Sequence, residues 1–252
     1  MARVIRSGLL LVVALAACLH APGARAGEAV DLLLVLAADV SRSIEQAEFA
    51  LQRQGYAAAL SDPRVIEAIR SGAHGRIGLC FIEWSGVSAQ KLVVDWTLIA
   101  DAKAGRKFGD KILEAPRAFT DRTSISGGID FALAQLARAP FEAGRRTVDV
   151  SGDGTNNSGR DVAKARDEAV AKGVAVNGLV ILSEQAMPWN PEHTHPPGGL
   201  ENYYRDNVIG GPGAFVMVAE HFGSFGQAII SKLIAEIAQA SPSRHAALAT
   251  AR

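Results

Sequence analysis

Apolar segments alternate with amphipathic segments along most of the chain. The runs at residues 30–38 and 77–82 are almost continuously apolar, which is typical of strands that are covered on both faces of a sheet. Residues 91–96 instead alternate apolar and polar positions, and this pattern predicts a half-exposed edge strand. The predicted strands are residues 30–38, 77–82, 91–96, 147–150, 174–182 and 214–219.

Helical periodicity fills most of the segments between these strands. The predicted helices are a stripe of Phe49, Tyr56 and Leu60, residues 63–70, a stripe of Ile129, Ala132, Leu133 and Leu136, residues 161–172, and a closing stripe of Phe222, Phe225, Ile229, Leu233 and Ile237. Gly173 is expected to end the fourth helix as its C-terminal cap. Strands that alternate with helices predict an α/β fold with a doubly wound, mostly parallel sheet of six strands and helices on both faces.

The first 26 residues have the pattern of an export signal. Arg3 and Arg6 form a basic start, residues 8–17 are apolar, and Ala24-Arg25-Ala26 offers a cleavage site. The apolar stretch is shorter than the ~20 residues that a membrane-spanning helix needs. The sequence therefore predicts an exported protein, periplasmic or secreted, without a transmembrane segment.

A lipid anchor is the alternative for the same segment. Residues 15–18 resemble a bacterial lipobox, in which Cys18 would become the acylated first residue of a membrane-anchored lipoprotein. After the signal, residues 27–240 are predicted to form one domain, and residues 241–252 a flexible tail without hydrophobic pattern.

Composition excludes one class of partner. The chain has 252 residues, of which 48% are hydrophobic, so it can bury one large core. Removal of the three arginines in residues 1–26 leaves 23 basic and 26 acidic residues, a net charge of −3. Such a chain lacks the basic field that nucleic-acid binding requires. Simple cleavage would leave Cys80 as the only cysteine, in an apolar run where a buried, inert thiol is expected.

Oxygen-bearing side chains follow two of the predicted strands. Asp39-x-Ser41-x-Ser43 follows the first strand, Asp153-Gly154 follows the strand at residues 147–150, and Thr123 precedes the Ile129 helix. Because the carboxyl ends of parallel strands meet at one edge of a sheet, the two aspartates should lie close together. Carboxylate and hydroxyl oxygens suit Mg²⁺, and this set leaves a coordination position for an outside ligand.

Each of these residues also has an ordinary structural interpretation. Ser43 with Gln46 could form a helix capping box, and Thr123 could cap the following helix. Asp39 could cap the turn that follows it, and Asp153-Gly154 could be an ordinary tight turn.

The same motif resembles the metal-ion-dependent adhesion site of von Willebrand factor type A domains. Asp39, Ser41, Ser43, Thr123 and Asp153 match its five positions. A closer resemblance, to a family of exported bacterial proteins of this fold whose function is uncharacterised, is carried by residues 83–86, 149–154 and 203–215. The resemblance covers residues 30–240.

The resemblance implies one antiparallel edge strand, in agreement with the pattern of residues 91–96. It also implies direct coordination of a cation by Ser41, Ser43 and Thr123, with Asp39 and Asp153 often acting through water and otherwise binding directly. The expected ion is Mg²⁺, with Mn²⁺ or Ca²⁺ as alternatives, and the expected partner is a protein that offers an Asp or Glu to the open position.

Three alternative functions are considered for a chain with this sequence. The first is a metal-dependent, adhesion-type protein-binding module that is not an enzyme. The second is a metal-dependent phosphatase that uses Asp39, although Ser41 stands where such phosphatases carry a second acid. The third is a structural envelope protein that uses the fold without a metal.

Four other features remain open at this stage. The Pro/Gly-rich insertion at residues 183–213 holds five of the ten prolines and is either functional or a plain surface loop. Within it, His193-x-His195 beside Glu192 resembles part of a transition-metal site without a third anchor. Glu83 is expected in an exposed turn, with a place at the sheet rim near the metal as the alternative. Asp149 is expected to be a buried carboxylate with a partner, or else a group that orients the site.

Overall fold

The fold is built on a twisted six-stranded sheet, seen in a computed structural model that describes residues 27–183 and 186–239. The predicted export signal, Cys18 and the tail at residues 241–252 lie outside these ranges. The strands are β1 (Glu28–Ala29), β2 (Leu33–Asp39), β3 (Ile77–Trp84), β4 (Gln90–Ile99), β5 (Phe141–Glu142), β6 (Arg146–Gly152), β7 (Ala175–Ile181) and β8 (Val216–Ala219).

The main sheet has the strand order β4-β3-β2-β6-β7-β8, and β1 pairs with β5 in a separate short ribbon. All neighbours in the main sheet are parallel except β3 and β4, which are antiparallel. This arrangement confirms the predicted doubly wound α/β fold with one antiparallel edge strand. The chain leaves the central strand β2 toward β3 on one side and later returns to β6 on the other, so β2 and β6 flank a topological switch point.

Helices cover both faces of this sheet. They are α1 (Gln46–Ala59), α2 (Pro63–Arg70), α3 (Ala102–Glu114), α4 (Ile125–Ala137), α5 (Val162–Ala171), α6 (Pro191–Thr194), α7 (Leu200–Tyr203) and α8 (Phe225–Ala238), with a π-helical turn at Tyr204–Val208 and a 3₁₀ turn at Phe222–Ser224. Side chains of α1, α2, α3 and α8 form the core on one face, and side chains of α4, α5, α7 and the π turn form it on the other. None of the described helices has both the length and the apolar content to cross a membrane.

The helix α3 was missed by the sequence pattern. Asp101 caps its N-terminus by accepting the N–H of Ala104 at 2.8 Å, which is a common start signal. Its interior contains Gly105, where an added Cβ would lie 1.9 Å from the carbonyl oxygen of Leu60. The glycine allows close packing against the end of α1 but lowers the helical propensity that sequence analysis relies on.

Glu83 corrects one prediction. It is the penultimate residue of β3, fully buried, and forms an ion pair with the guanidinium of Arg53 from α1. Its second carboxylate oxygen accepts the backbone N–H of Ala118 at 3.0 Å. The expected exposed turn is therefore wrong, because β3 runs on to Trp84 and Arg53 supplies the charge that makes burial tolerable.

Asp149 lies in β6 and is buried in a cluster of charges, which confirms that it is a buried carboxylate with a partner. The Lys232 ammonium of α8 lies 2.7 Å from Asp149 Oδ1 and also pairs with Glu236. Asn177 donates to Glu236 Oε1 at 2.8 Å. Burial and the charge of Glu236 raise the pKa of Asp149 to about 7, while Lys232 opposes the shift.

Replacement of Lys232 by methionine should destabilise the fold strongly. The change leaves two buried carboxylates without their shared cation, and breaking a buried pair typically costs about 3–5 kcal/mol. Urea unfolding of Lys232→Met should show this loss, while Lys107→Met, an exposed lysine on α3, should stay close to wild type. Equal stability of the two variants would show that the ion pairs of Lys232 contribute little to the free energy of unfolding.

Asp149→Asn should change how stability depends on pH. A carboxyl whose pKa is raised by folding contributes stability that is complete below its unfolded pKa and is lost as pH rises through the folded value, here about 7. The variant should therefore gain stability relative to wild type between about pH 4 and about pH 7, with each pKa unit worth about 1.4 kcal/mol. A difference in unfolding free energy that stays constant over this range would show that Asp149 remains ionised throughout.

Candidate metal centre

Two buried carboxylates meet at the switch point of the sheet. Asp39 is the last residue of β2, and Asp153 directly follows β6, its parallel neighbour. The two residues are 0% and 2% exposed. Gly152 leaves room beside Asp39, since an added Cβ there would lie 2.6 Å from the Tyr204 hydroxyl and 3.0 Å from Asp39 Oδ2.

A chain of hydrogen bonds connects the two carboxylates through the serines of the motif. The Ser41 N–H donates to Asp39 Oδ1 at 2.7 Å, and the hydroxyls of Ser41 and Ser43 are 3.0 Å apart. The Ser43 hydroxyl then donates to Asp153 Oδ1 at 2.7 Å. Four of the five predicted site residues are thus joined in one polar network.

This network is short of positive charge. Burial and the charge of Asp153 raise the pKa of Asp39 well above its usual value, against the hydrogen bond from Ser41. Burial raises the pKa of Asp153 to about 6, while the hydrogen bond from Ser43 opposes the shift. Among the described residues none donates a hydrogen bond to Asp39 Oδ2, although that oxygen is buried. A cation beside it would remove this deficit.

The turn that carries the serines is held by Arg117, which sequence reasoning missed. Its guanidinium donates to the backbone carbonyls of Val40, Ser41 and Ile44 at 2.9, 2.7 and 2.9 Å. Arg117 lies in the segment between α3 and α4, where no periodic pattern marks it. The carbonyls bring this guanidinium near the two carboxylates and keep the hydroxyls of the turn in place.

Thr123 reaches the site from the same segment. The backbone N–H of Arg42 donates to the carbonyl of Asp121 at 2.9 Å, which fixes the two loops side by side. Asn157 holds Thr123 by accepting its N–H at 3.0 Å and by donating its own N–H to the Thr123 carbonyl at 2.9 Å. The Thr123 hydroxyl makes no hydrogen bond to the other four site residues in the part of the chain that the structure describes.

The Thr123 hydroxyl instead contacts His193, from the insertion at residues 183–213. Its Oγ1 lies 3.1 Å from His193 Nε2, and the ring is only 3% exposed. An added Cβ on Gly154 would lie 2.2 Å from the same nitrogen, so the ring packs directly on the residue after Asp153. Burial and the charge of Arg42 lower the pKa of His193, which favours a neutral imidazole. The insertion is therefore part of the site.

Of the capping roles considered for Ser43, Thr123 and Asp39, the structure confirms only that of Asp39. Glu45, with Glu48, forms the capping box of α1, so the box predicted for Ser43 and Gln46 is wrong. Ser124 caps α4 by accepting the N–H of Gly127, so Thr123 is free of that task. Asp39 does cap the turn after β2, but with Oδ1 only.

The donor set fits a hard divalent cation better than a thiolate-rich or histidine-rich metal site. No cluster of three or more His, Cys, Asp or Glu side chains suited to a metal occurs within residues 27–183 and 186–239. The oxygens at the switch point are two carboxylates and the hydroxyls of the two motif serines, with Thr123 beside them. Small cations such as Mg²⁺ accept such oxygens together with water.

A cleft of about 310 Å³ opens beside Thr123 and His193. Its other lining residues are Arg42, Arg122, Asn157, Met187, Trp189 and Asn190. The indole of Trp189 is 71% exposed, which is unusual for so large an apolar side chain. The rim thus combines two guanidinium groups with one exposed aromatic ring.

One known protein family matches most of the chain. A family model described as "Protein of unknown function (DUF1194)" matches residues 29–241. The chain belongs to this DUF1194 family. The match covers both strands that carry the aspartates and the whole insertion, so the site is part of the family domain. No curated protein matches the chain.

Solved structures similar in fold to this DUF1194 chain include a pilus adhesin and a von Willebrand factor type A protein. One is the pilus adhesin SpaC from Lactobacillus rhamnosus GG, with a TM-score of 0.58, 13% identity, and coverage of 84% of this chain and 31% of the adhesin. Another is a von Willebrand factor type A protein from Catenulispora acidiphila, with a TM-score of 0.54, 12% identity, and coverage of 85% and 43%.

A third similar structure carries a metal. Proximal thread matrix protein 1 from the mussel byssus, solved with a zinc-occupied MIDAS motif, has a TM-score of 0.53, 15% identity, and coverage of 83% of this chain and 48% of the mussel protein. The DUF1194 chain thus spans less than half the length of these three proteins. At such identities the likeness establishes a shared fold, and the sequence resemblance to this fold is confirmed.

Asp153→Asn should stabilise the cation-free DUF1194 protein at neutral pH. The amide removes one of two adjacent buried charges and can still accept the Ser43 hydroxyl, so a gain on the order of 1–3 kcal/mol is expected. Chemical unfolding in the presence of chelator measures it, with Asp110→Asn, an exposed carboxyl on α3, as the control. A variant less stable than wild type in chelator would show that the carboxylates do not repel each other.

Proposed function

We propose that this DUF1194 domain is an exported, cation-dependent protein-binding module of the adhesion type, and not an enzyme. Asp39, Ser41, Ser43, Thr123 and Asp153 would hold one divalent cation, for which the sequence predicts Mg²⁺, Mn²⁺ or Ca²⁺. An Asp or Glu of a partner protein would complete its coordination.

The observation that supports this proposal most is the buried pair of carboxylates joined by serine hydroxyls. Two negative charges that are withdrawn from water need a cation or a proton nearby. The remaining donors are neutral hydroxyls, so two carboxylates only balance a divalent ion and do not saturate it. A cation held in this way stays electron-poor and can accept a further carboxylate.

The cleft beside the site supports an acidic partner. Arg42 and Arg122 place two guanidinium groups on its rim, and guanidinium groups bind carboxylates through paired hydrogen bonds. Trp189 adds an exposed aromatic surface of the kind that anchors protein interfaces. A segment with one carboxylate for the cation and a second for the arginines would match this surface.

Neither alternative function is favoured by a specific contact. A phosphatase that uses Asp39 needs a general acid two residues later, and Ser41 occupies that position with a buried hydroxyl bonded to Ser43. The adhesin among the similar structures supports protein binding instead. A metal-free structural role would leave Asp39 and Asp153 without a cation, so the pair would have to hold a proton near neutral pH, consistent with the raised pKa values of both carboxyls.

Substitutions at Thr123 test the proposal, because this residue supplies a single oxygen. Thr123→Val keeps the volume and removes the hydroxyl, so it should weaken cation binding by about tenfold or more. Thr123→Ser keeps the hydroxyl and should bind like wild type. Calorimetric titration with Mg²⁺, Mn²⁺ and Ca²⁺ compares the three proteins, with circular dichroism to show that each is folded.

Capture of proteins from an envelope extract tests the second half of the proposal. Wild type and Thr123→Ser should retain the same partner, release it when EDTA is added, and rebind it when the cation is restored. Thr123→Val should capture little of it. Failure of the folded protein to take up any divalent cation would favour the metal-free structural role. Capture that survives both EDTA and Thr123→Val would rule out docking through a cation.

A further inference from the structure

Lys232 of α8 places a primary amine in the interior of the protein. Its side chain and those of its two acidic neighbours, Asp149 and Glu236, are all 0% exposed. The Nζ atom lies 2.7 Å from Asp149 Oδ1 and also contacts Glu236 Oε1. An amine and a carboxyl group are therefore held in contact where bulk water is excluded.

The Asp149 carboxyl depends on Lys232 alone. Apart from the ammonium, neither of its oxygens has a hydrogen-bond partner in the part of the chain that the structure describes. Its Cγ atom lies one bond beyond Oδ1, so the amine is near the about 3–3.5 Å from which reacting atoms attack. Burial and the charge of Glu236 raise the pKa of Asp149 to about 7, which gives its carbon the reactivity of a partly protonated carboxyl at neutral pH.

Glu236 is placed to carry protons between these two groups. Asn177 Nδ2 donates to Glu236 Oε1 at 2.8 Å, and Asn177 is itself held because its Oδ1 accepts the N–H of Phe215 at 3.1 Å. Glu236 Oε2 is buried and has no hydrogen-bond partner among the described residues. One oxygen of Glu236 is thus fixed, while the other can take up and return a proton, as a general base and acid must.

The amine has to lose a proton before it can act as a nucleophile. Burial alone would lower the pKa of Lys232, but the charges of Asp149 and Glu236 raise it overall. The reaction therefore starts from an ammonium ion, and Glu236 is the base within reach of it. Before it reacts, the pair of Lys232 and Asp149 titrates as described above.

The surroundings of the cluster favour an uncharged product. Attraction within a buried ion pair often fails to repay the desolvation of its two charges, whereas an amide made from the same groups carries no charge. The ring of Phe215 lies 5.3 Å from the Lys232 Nζ and adds apolar surface. A cleft of about 460 Å³ opens beside Asn177, the partner of Glu236, and offers a released water a short way out.

We propose that Lys232 and Asp149 condense after folding into an intramolecular isopeptide bond, with Glu236 as the proton carrier. The bond between Nζ and Cγ forms, and one bond between Cγ and oxygen breaks. Of the three hydrogens of the ammonium, one stays on the amide nitrogen and two leave with the carboxylate oxygen as water. Glu236 ends in the protonation state in which it began, and no oxidant, reductant or other reactant is consumed.

Such a bond would tie α8 to β6 covalently. A cross-link between residues that are distant in sequence restricts the unfolded chain, as a disulfide does. Cys80 is the only cysteine in residues 27–252, so a second cysteine for an internal disulfide is lacking there. The inference goes beyond the proposed function and is independent of it, because neither Lys232 nor Asp149 is a proposed ligand of the cation.

Intact mass spectrometry of the purified, folded full chain tests the inference. Wild type should weigh one water less than its sequence requires. Glu236→Gln keeps the size of the side chain and removes the proton carrier, so this variant should have its full mass. Glu67→Gln, which changes an exposed glutamate on α2, should lose the same water as wild type.

Tryptic digestion locates the bond. A lysine whose side chain is an amide is not cleaved, so residues 206–244 should stay in one peptide across Lys232. That peptide should be joined to residues 147–160, which contain Asp149. The joined pair of peptides should appear in wild type and in Glu67→Gln, and should be absent from Glu236→Gln.

Lys232→Met excludes other sources of the missing water, since Asp153-Gly154 could also lose water by cyclisation within its own peptide. This variant should have its full mass, and if it does not fold, Glu236→Gln retains the contact of Lys232 with Asp149 and decides the question. A loss of water that persists in Lys232→Met, or that maps to a single linear peptide, would overturn the inference. Wild type that keeps its full mass after days of incubation in the folded state would overturn it as well.

Discussion

The pairing of β2 with β6 is the constraint on which the rest of the site depends. These strands are parallel and adjacent, with Ala38 in register with Ser151, so the residues that follow them emerge at one edge. The sheet thereby brings two acidic side chains together in a region that water does not reach. Every other part of the site, from the serine turn to the imidazole of the insertion, is arranged around that concentration of negative charge.

Much of this arrangement could be predicted from the order of residues along the chain. Strand patterns gave the topology, and parallel topology then implied that Asp39 and Asp153 share an edge. The spacing of Ser41 and Ser43 after Asp39 marked the turn that follows β2 as part of the same site. These inferences succeed because they rest on local periodicity and on one general rule of sheets, and both can be seen in a single sequence.

The parts that escaped prediction depend on contacts between distant residues. Glu83 was expected in solvent because nothing near it in sequence reveals that Arg53 lies across from it. Nothing in the sequence around Arg117 indicates that its guanidinium donates to three backbone carbonyls. His193 was noticed because it resembles a fragment of a metal site, but its contact with Thr123, 70 residues away in the chain, could not be predicted.

The guanidinium of Arg117 has a thermodynamic consequence for any ion that enters. Ordering an irregular backbone costs about 1–2 kcal/mol per residue, and a loop that is shaped only on binding subtracts this cost from its affinity. Here a single side chain already holds three carbonyls of the serine turn in the folded protein. The serine turn is thereby preorganised, so the proposed cation would lose little binding energy to ordering it.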